Sequence, residues 1–403
     1  MSFLSRFLGK NKKAEPEKAP PSGRLSIVGK RSRPLSRIWT VGGGKGGVGK
    51  SVVAANFATL LAGSGRRTLI VDADFGAANL HTLFGIQGSN PSLSSFLKSE
   101  VADIRRLITG TGIQKLDIIT GAMDSLNIAD VDASSLMRLQ RAISELDYDH
   151  VVLDLSPGTS SDVLDCFLMS DEGILVTTPE PTSIENTYRF MKCLFLRRIR
   201  AIINSGEPGR LKETLKAALE RDPRIGTVSE FMKNFKLSAG SGSAPEEILG
   251  GMGGHLVVNR TRLPEDRAIG PHMQRACMSY FGVRFNHLGD IGQDTSIEDS
   301  VRARRPLVRD YPGSPAALSL VSCFRKLSSI EAGKGRQEAD KGAYADMNQR
   351  VNIDYYELLD IARGGSLRGG RGLQEGNIRP GRRLRGHLLA LHPGGEGRAY
   401  LPA

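Results

Sequence analysis

From Arg37 onward, apolar runs of strand length recur at Ile38–Val41, Thr68–Val71, Leu116–Ile119, Val151–Leu155, Gly173–Thr177, His255–Val258 and Asn286–Ile291. Stretches with helical spacing separate most of them, at Val52–Gly63, Ser134–Leu146 and Ile184–Ile202. Strand and helix in alternation predict a doubly wound α/β fold, a mainly parallel sheet with helices on both faces. The runs around Val71 and Val152 are apolar without a break, as strands covered on both sides require. Residues 206–254 interrupt the rhythm. Leu211–Glu220 reads as a helix and Ser238–Gly254 is rich in Gly, Ser and Ala, so a helical insertion ending in a mobile loop is expected there.

The same periodicity sets the expected boundaries. One domain spans 38–327, with 328–403 as a linker and a poorly structured tail. Glu331–Asn348 is polar, Asp354–Leu359 opens a short apolar helix, and after Arg363 the chain turns to Gly, Arg, Leu and Pro without a period, a composition that also fits translation in a shifted frame. At the other end, residues 11–37 are rich in Lys, Pro, Ser and Arg and read as disordered. Ahead of them Phe3, Leu4, Phe7 and Leu8 share a helical face with Arg6, Lys10, Lys12 and Lys13 elsewhere, so residues 1–13 offer a short amphipathic contact for a membrane surface.

Charge follows the tails. The chain of 403 residues has a net charge of +12, but residues 1–37 hold ten Lys/Arg against two Glu, and residues 364–403 hold seven Arg against two Glu, which leaves the interior near neutral. Attraction to acidic lipid or nucleic acid is therefore expected from the tails first. Arg302, Arg304 and Arg305 form one small basic cluster inside the domain, read as a solvated face. No run of about 18 apolar residues predicts a transmembrane helix, and no secretory signal stands at the start. Cys166, Cys193, Cys277 and Cys323 are far apart and each lies in an apolar stretch, the pattern of buried free thiols in a reducing compartment.

The chemistry is concentrated at Gly44-Lys45-Gly46-Gly47-Val48-Gly49-Lys50-Ser51, between the first strand and the first helix. GxxxxGK[ST] is met by Gly44, Gly49, Lys50 and Ser51. A phosphate needs several backbone N–H groups close by, so side chains obstruct and glycines are favoured. The helix that follows adds the positive end of its dipole. Lys50 is expected to reach the β- and γ-phosphates of ATP and Ser51 to ligate Mg²⁺. A bare glycine-rich turn accounts for neither the flanking elements nor the Gly-Lys-Ser ending. Asp154 ends a buried strand, where an unanswered carboxylate is costly, which favours a metal or hydrogen-bonded role.

Lys45, beyond the general pattern, makes this loop resemble the deviant Walker A motif of the MinD/ParA family. Further matches follow in order: Val71-Asp72-Ala73-Asp74, then Asp74-Phe75-Gly76-Ala77-Ala78-Asn79-Leu80-His81 with His for the usual final Asp, Val152-Leu153-Asp154-Leu155-Ser156-Pro157-Gly158, Thr178-Pro179-Glu180 and Val257-Val258-Asn259-Arg260. The resemblance covers about 37–325 and is MinD/FlhG-like in texture. It implies an ATPase that forms an ATP-dependent homodimer, answers to an activating protein partner, and positions a cellular structure such as the division site, flagella or chromosome. By the same resemblance Lys45 crosses the dimer interface to the partner's nucleotide, Asp74 orients or activates the attacking water, Asp72 and Asp154 hold Mg²⁺ directly or through water, Asn259 bonds adenine and Arg260 stacks near it. A cytoplasmic protein, peripheral on the inner face of the membrane, is implied as well. The C-terminal amphipathic helix of MinD is not evident, so residues 1–13 stand in for it. A partition ATPase on nonspecific DNA is the alternative, less favoured because it needs basic residues on the dimer surface and the Arg302, Arg304 and Arg305 cluster reads as a solvated face. A metal-cluster carrier is less favoured still, since it needs paired thiolates.

Overall fold

The computed structural model describes residues 36–74, 78–87, 91–121, 133–204, 209–221, 228–239, 248 and 253–337, all within one compact unit. The basic tails, the amphipathic contact at 1–13, the apolar helix at Asp354–Leu359 and most of the expected loop at 238–254 lie outside the described residues.

Eight strands among the described residues form one sheet: β1 (Arg37–Gly42), β2 (Thr68–Ala73), β3 (Ile108–Ile113), β4 (Leu116–Ile119), β5 (His150–Leu155), β6 (Glu172–Thr177), β7 (Gly253–Thr261) and β8 (Phe285–Gly292). Their order is β3-β4-β2-β5-β1-β6-β7-β8. Every neighbouring pair is parallel except β3 with β4. The helices, in chain order, are α1 (Lys50–Gly63), α2 (Leu80–Leu83), α3 (Leu93–Leu97), α4 (Ala133–Ser144), α5 (Ser161–Leu168), α6 (Pro181–Asn204), α7 (Arg210–Arg221), α8 (Val228–Ala239), α9 (Ile269–Phe281), α10 (Thr295–Arg302), α11 (Leu307–Asp310) and α12 (Pro315–Gln337). The fold is the doubly wound α/β architecture expected.

The unbroken apolar runs explain the layering. Successive side chains of a strand point to opposite faces. Leu69, Val71, Val151 and Leu153 therefore enter one core with Leu139 of α4, Val163 of α5, Leu194 of α6 and Met273 of α9. Trp39, Val41, Ile70 and Val152 enter the other with Phe57 of α1 and Leu320 and Leu327 of α12. Each fully buried side chain of this size contributes about 1.5–3 kcal/mol, so the central strands are a stiff platform for whatever their ends carry.

Two features depart from the expected pattern. The edge strand β3 reads Ile-Thr-Gly-Thr-Gly-Ile, and its glycines at 110 and 112 erase the apolar signal; it is held by pairing with β4. The expected boundary at 327–328 falls inside α12, which runs on to Gln337, so residues 331–337 are helix and not linker. The reason is tertiary. Glu331 lies 3.5 Å from both Arg37 Nη1 and His150 Nε2, and Trp39 Nε1 donates to it at 3.4 Å, so this acid closes the sheet's lower end. Among the described residues no helix is long and apolar enough to cross a membrane. All four cysteines are free; three are buried and Cys193 is half-buried.

Candidate nucleotide site

The site lies where β1, β2 and β5 end, because parallel strands deliver their C-terminal ends to one edge. Leaving β1, the chain loops through 43–49 and enters α1 at Lys50. Gly49 takes φ +97°, a left-handed value that a side chain resists, and the Asn259 amide occupies the space a Cβ would need. A Cβ on Gly44 would overlap the Asn186 carbonyl. The first turn of α1 has no acidic residue and no side-chain cap, so its leading N–H groups remain available to an anion.

Register brings the acids together. Asp72 and Asp154 are direct partners across β2 and β5, and Asp154 also faces Val41 at the end of β1. Asp72 is spent on backbone: Asp74 N–H donates to its Oδ1 at 3.2 Å and Leu80 N–H to its Oδ2 at 2.9 Å, which braces the start and finish of the segment from β2 to α2. Burial pushes its carboxyl up to about 6 against those bonds. Asp154 is pushed up to about 7, first by burial and then by Asp72, while the Ser51 hydroxyl and Lys50 pull it down. Its Oδ1 is buried and meets no hydrogen-bond donor among the described residues. A buried carboxylate oxygen left unanswered costs about 1–3 kcal/mol or more, so the chain carries a cost that a cation would remove. The oxygen donors of Ser51 and Asp154 are of the kind that Mg²⁺ takes.

Lys50 is 7% exposed. Burial lowers its pKa first, and the attraction of Asp154 and Asp74 opposes that. Asp74 accepts a hydrogen bond from Ser156 Oγ at 2.9 Å. Lys45 turns away from this centre: its Nζ donates to Glu180 Oε2 at 2.8 Å and Thr182 Oγ1 at 3.1 Å. Asn259 Nδ2 donates to the Val48 carbonyl at 2.8 Å while its Oδ1, also buried, meets no donor. Arg260 is exposed, with φ +60°, and its charge helps hold Glu180 below the usual carboxylate range, after the larger effect of Lys45.

All the residues singled out in the sequence thus gather at one edge, Gly44 to Ser51 with Asp72, Asp74 and Asp154 at the centre and Asn259 against the loop. Ser156, Thr182 and Asn186 carry contacts that reading the sequence did not assign. Ser156 stood inside a quoted motif with no role; its partner lies 82 positions away. Of the basic cluster, Arg302 pairs with Glu298 and Asp299, and Arg305 with Asp310, consistent with a solvated face.

The ParA family model, described as NUBPL iron-transfer P-loop NTPase, matches residues 35–202. The antiactivator FleN of Pseudomonas aeruginosa is 25% identical over 295 residues, covering 73% of this chain and 86% of that protein. An uncharacterized ATP-binding protein of Methanocaldococcus jannaschii is 35% identical over 156 residues, covering 38% of this chain and 57% of its own length. The septum site-determining protein MinD of Escherichia coli is 29% identical over 185 residues, covering 45% and 66%. The last two alignments thus span under two thirds of those relatives. Among solved structures, the cell division ATPase MinD of Pyrococcus furiosus aligns over 73% of this chain and 100% of its own, at 20% identity and a TM-score of 0.49.

Proposed function

We infer that the chain belongs to the MinD/ParA family of P-loop NTPases and propose that it binds and hydrolyses ATP as a dimeric switch that positions a cellular structure. The supporting observation is the convergence of the open N-terminus of α1, buried Lys50 and Asp154 Oδ1, which no donor among the described residues answers. In this reading the loop amides and Lys50 hold the triphosphate, and Ser51 and Asp154 hold Mg²⁺, which neutralises phosphate charge. Asp74 orients the attacking water. Positioning and charge neutralisation dominate such hydrolysis, so little covalent help is required of the protein.

Dimerisation is the switch. Lys45 is long and half-exposed, and its bonds to Glu180 and Thr182 lie at the surface, where an ion pair is worth about 0–1 kcal/mol. It can be given up for the phosphates of a facing subunit. ATP then favours the dimer that holds partners, and hydrolysis releases them. In the same reading Asn259 Oδ1 accepts from the adenine amine. An activating protein and peripheral attachment to the inner face of the cytoplasmic membrane belong to the same reading. FleN and MinD, named for antiactivation and septum-site determination, support a positioning role.

The family model's own description raises metal-cluster transfer as a second reading. The thiols speak against it. Burial pushes Cys166 and Cys277 far up and Cys323 to about 12, so three of the four are poor ligands. Gel filtration tests the switch. Asp74→Ala with ATP and Mg²⁺ is expected to elute as a dimer, and Lys50→Ala as a monomer; a monomeric Asp74→Ala at saturating ATP contradicts the proposal.

A further inference from the structure

Asp74 opens the segment that leaves β2, and a carboxylate there has rotational freedom unless something fixes it. Ser156 fixes it from across the sheet: its Oγ lies 2.9 Å from Asp74 Oδ1 and 3.5 Å from the Ala73 carbonyl, so the hydroxyl's single proton goes to the nearer carboxylate. A hydrogen bond to an ionised acceptor is roughly twice as strong as a neutral one.

Ser156 is itself held rigidly. Leu155 before it is the last residue of buried β5. Pro157 after it restricts its backbone to extended conformations and packs 4.0 Å from where a Cβ of Gly46 would stand. Gly158 N–H, two residues on, donates to the Gly43 carbonyl at 3.1 Å. The serine is therefore clamped between a core strand and the phosphate loop, whereas Asp74 belongs to the segment that Asp72 must brace by backbone bonds.

We infer that Ser156 is the positioning residue for Asp74, transmitting the geometry of the phosphate loop to the carboxylate that orients water. The inference rests on the role of Asp74 proposed above. The Ser156 hydroxyl bonds to Asp74 and lies near the Ala73 carbonyl, and no contact to the triphosphate is assigned to it above, so its removal is expected to act on turnover and spare binding.

Steady-state phosphate release by the full-length protein with Mg-ATP, beside equilibrium binding of a fluorescent ATP analogue, tests this. Ser156→Ala is expected to lower kcat about tenfold with KM and analogue affinity within about twofold of wild type. Ser156→Thr, which keeps the hydroxyl, restores kcat to within about threefold. In an Asp74→Ala background, Ser156→Ala changes nothing further, because the two act as one unit. Loss of turnover in Asp74→Ala together with unchanged kcat in Ser156→Ala overturns this inference alone. So does a Ser156→Thr as slow as Ser156→Ala, or a Ser156→Ala effect confined to KM. A wild type without turnover, or an Asp74→Ala as fast as wild type, overturns the underlying reading and this inference with it.

Discussion

Two buried carboxylates at opposite ends of one sheet meet different fates. At the lower end, Glu172 opens β6 with its side chain 1% exposed, and His255 of β7, 0% exposed, meets it at 2.6 Å. The Glu172 carboxylate thus meets a side-chain partner inside the fold. At the upper end, Asp154 is 2% exposed and pressed against Asp72, yet its Oδ1 meets no donor among the described residues. The lesson is that burial does not distinguish a structural acid from a functional one; completeness does. An acid answered inside the fold needs nothing from outside, while an acid left unanswered beside a phosphate loop stores a cost that a ligand relieves.

The largest expected effect falls on the unfinished end. Lys50→Ala removes a buried cation there, and ATP affinity should fall by more than about 100-fold in equilibrium titration, since a charge-assisted contact to phosphate is lost. Next comes the contrast itself. Glu172→Ala breaks a buried pair and should cost about 3–5 kcal/mol in urea unfolding while ATP still binds. Asp154→Asn removes a repelled buried charge; the nucleotide-free protein should be as stable as wild type or more so, with Mg²⁺-dependent turnover lost. Equal destabilisation by both substitutions would erase the distinction.

The smallest effect is in pH. The carboxyls of Asp72 and Asp154 are raised to about 6 and about 7 in the folded state from an ordinary value of 3.8. The folded state therefore holds more protons than the unfolded one in this range, so stability falls as pH rises between about 4 and 7. Without nucleotide the loss should appear as a fall in Tm as pH is raised from 5 to 8. Asp154→Asn should flatten the slope, and Mg-ATP, which holds the ionised forms, should reverse it.

What the sequence could disclose follows from where the determinants lie along the chain. The phosphate loop is legible because Gly44 to Ser51 are contiguous, and the central strands because burial on both faces leaves them apolar throughout. Edge strand β3 is not, since its pairing with β4 owes little to side chains and Gly110 and Gly112 hide it. The last turns of α12 are polar and hold because Glu331 finds Arg37, His150 and Trp39, partners 181 to 294 positions earlier. The bond of Ser156 to Asp74 depends on β2 and β5 being neighbours, which spacing along the chain does not state. Lys45 marks itself by type, but its present partners Glu180 and Thr182 are set by the turn from β6 into α6.

The central claim is that Asp154 Oδ1 and the loop 44–51 are two sides of one Mg–triphosphate site. A crystal structure grown with Mg²⁺ and a non-hydrolysable ATP analogue tests it most directly. Expected are the β- and γ-phosphates within hydrogen-bonding reach of Lys50 and the loop amides, Mg²⁺ bound by Ser51 with Asp154 directly or through one water, and a second subunit contributing its Lys45. An empty loop, or an analogue bound elsewhere with Asp154 Oδ1 still unanswered, would contradict it.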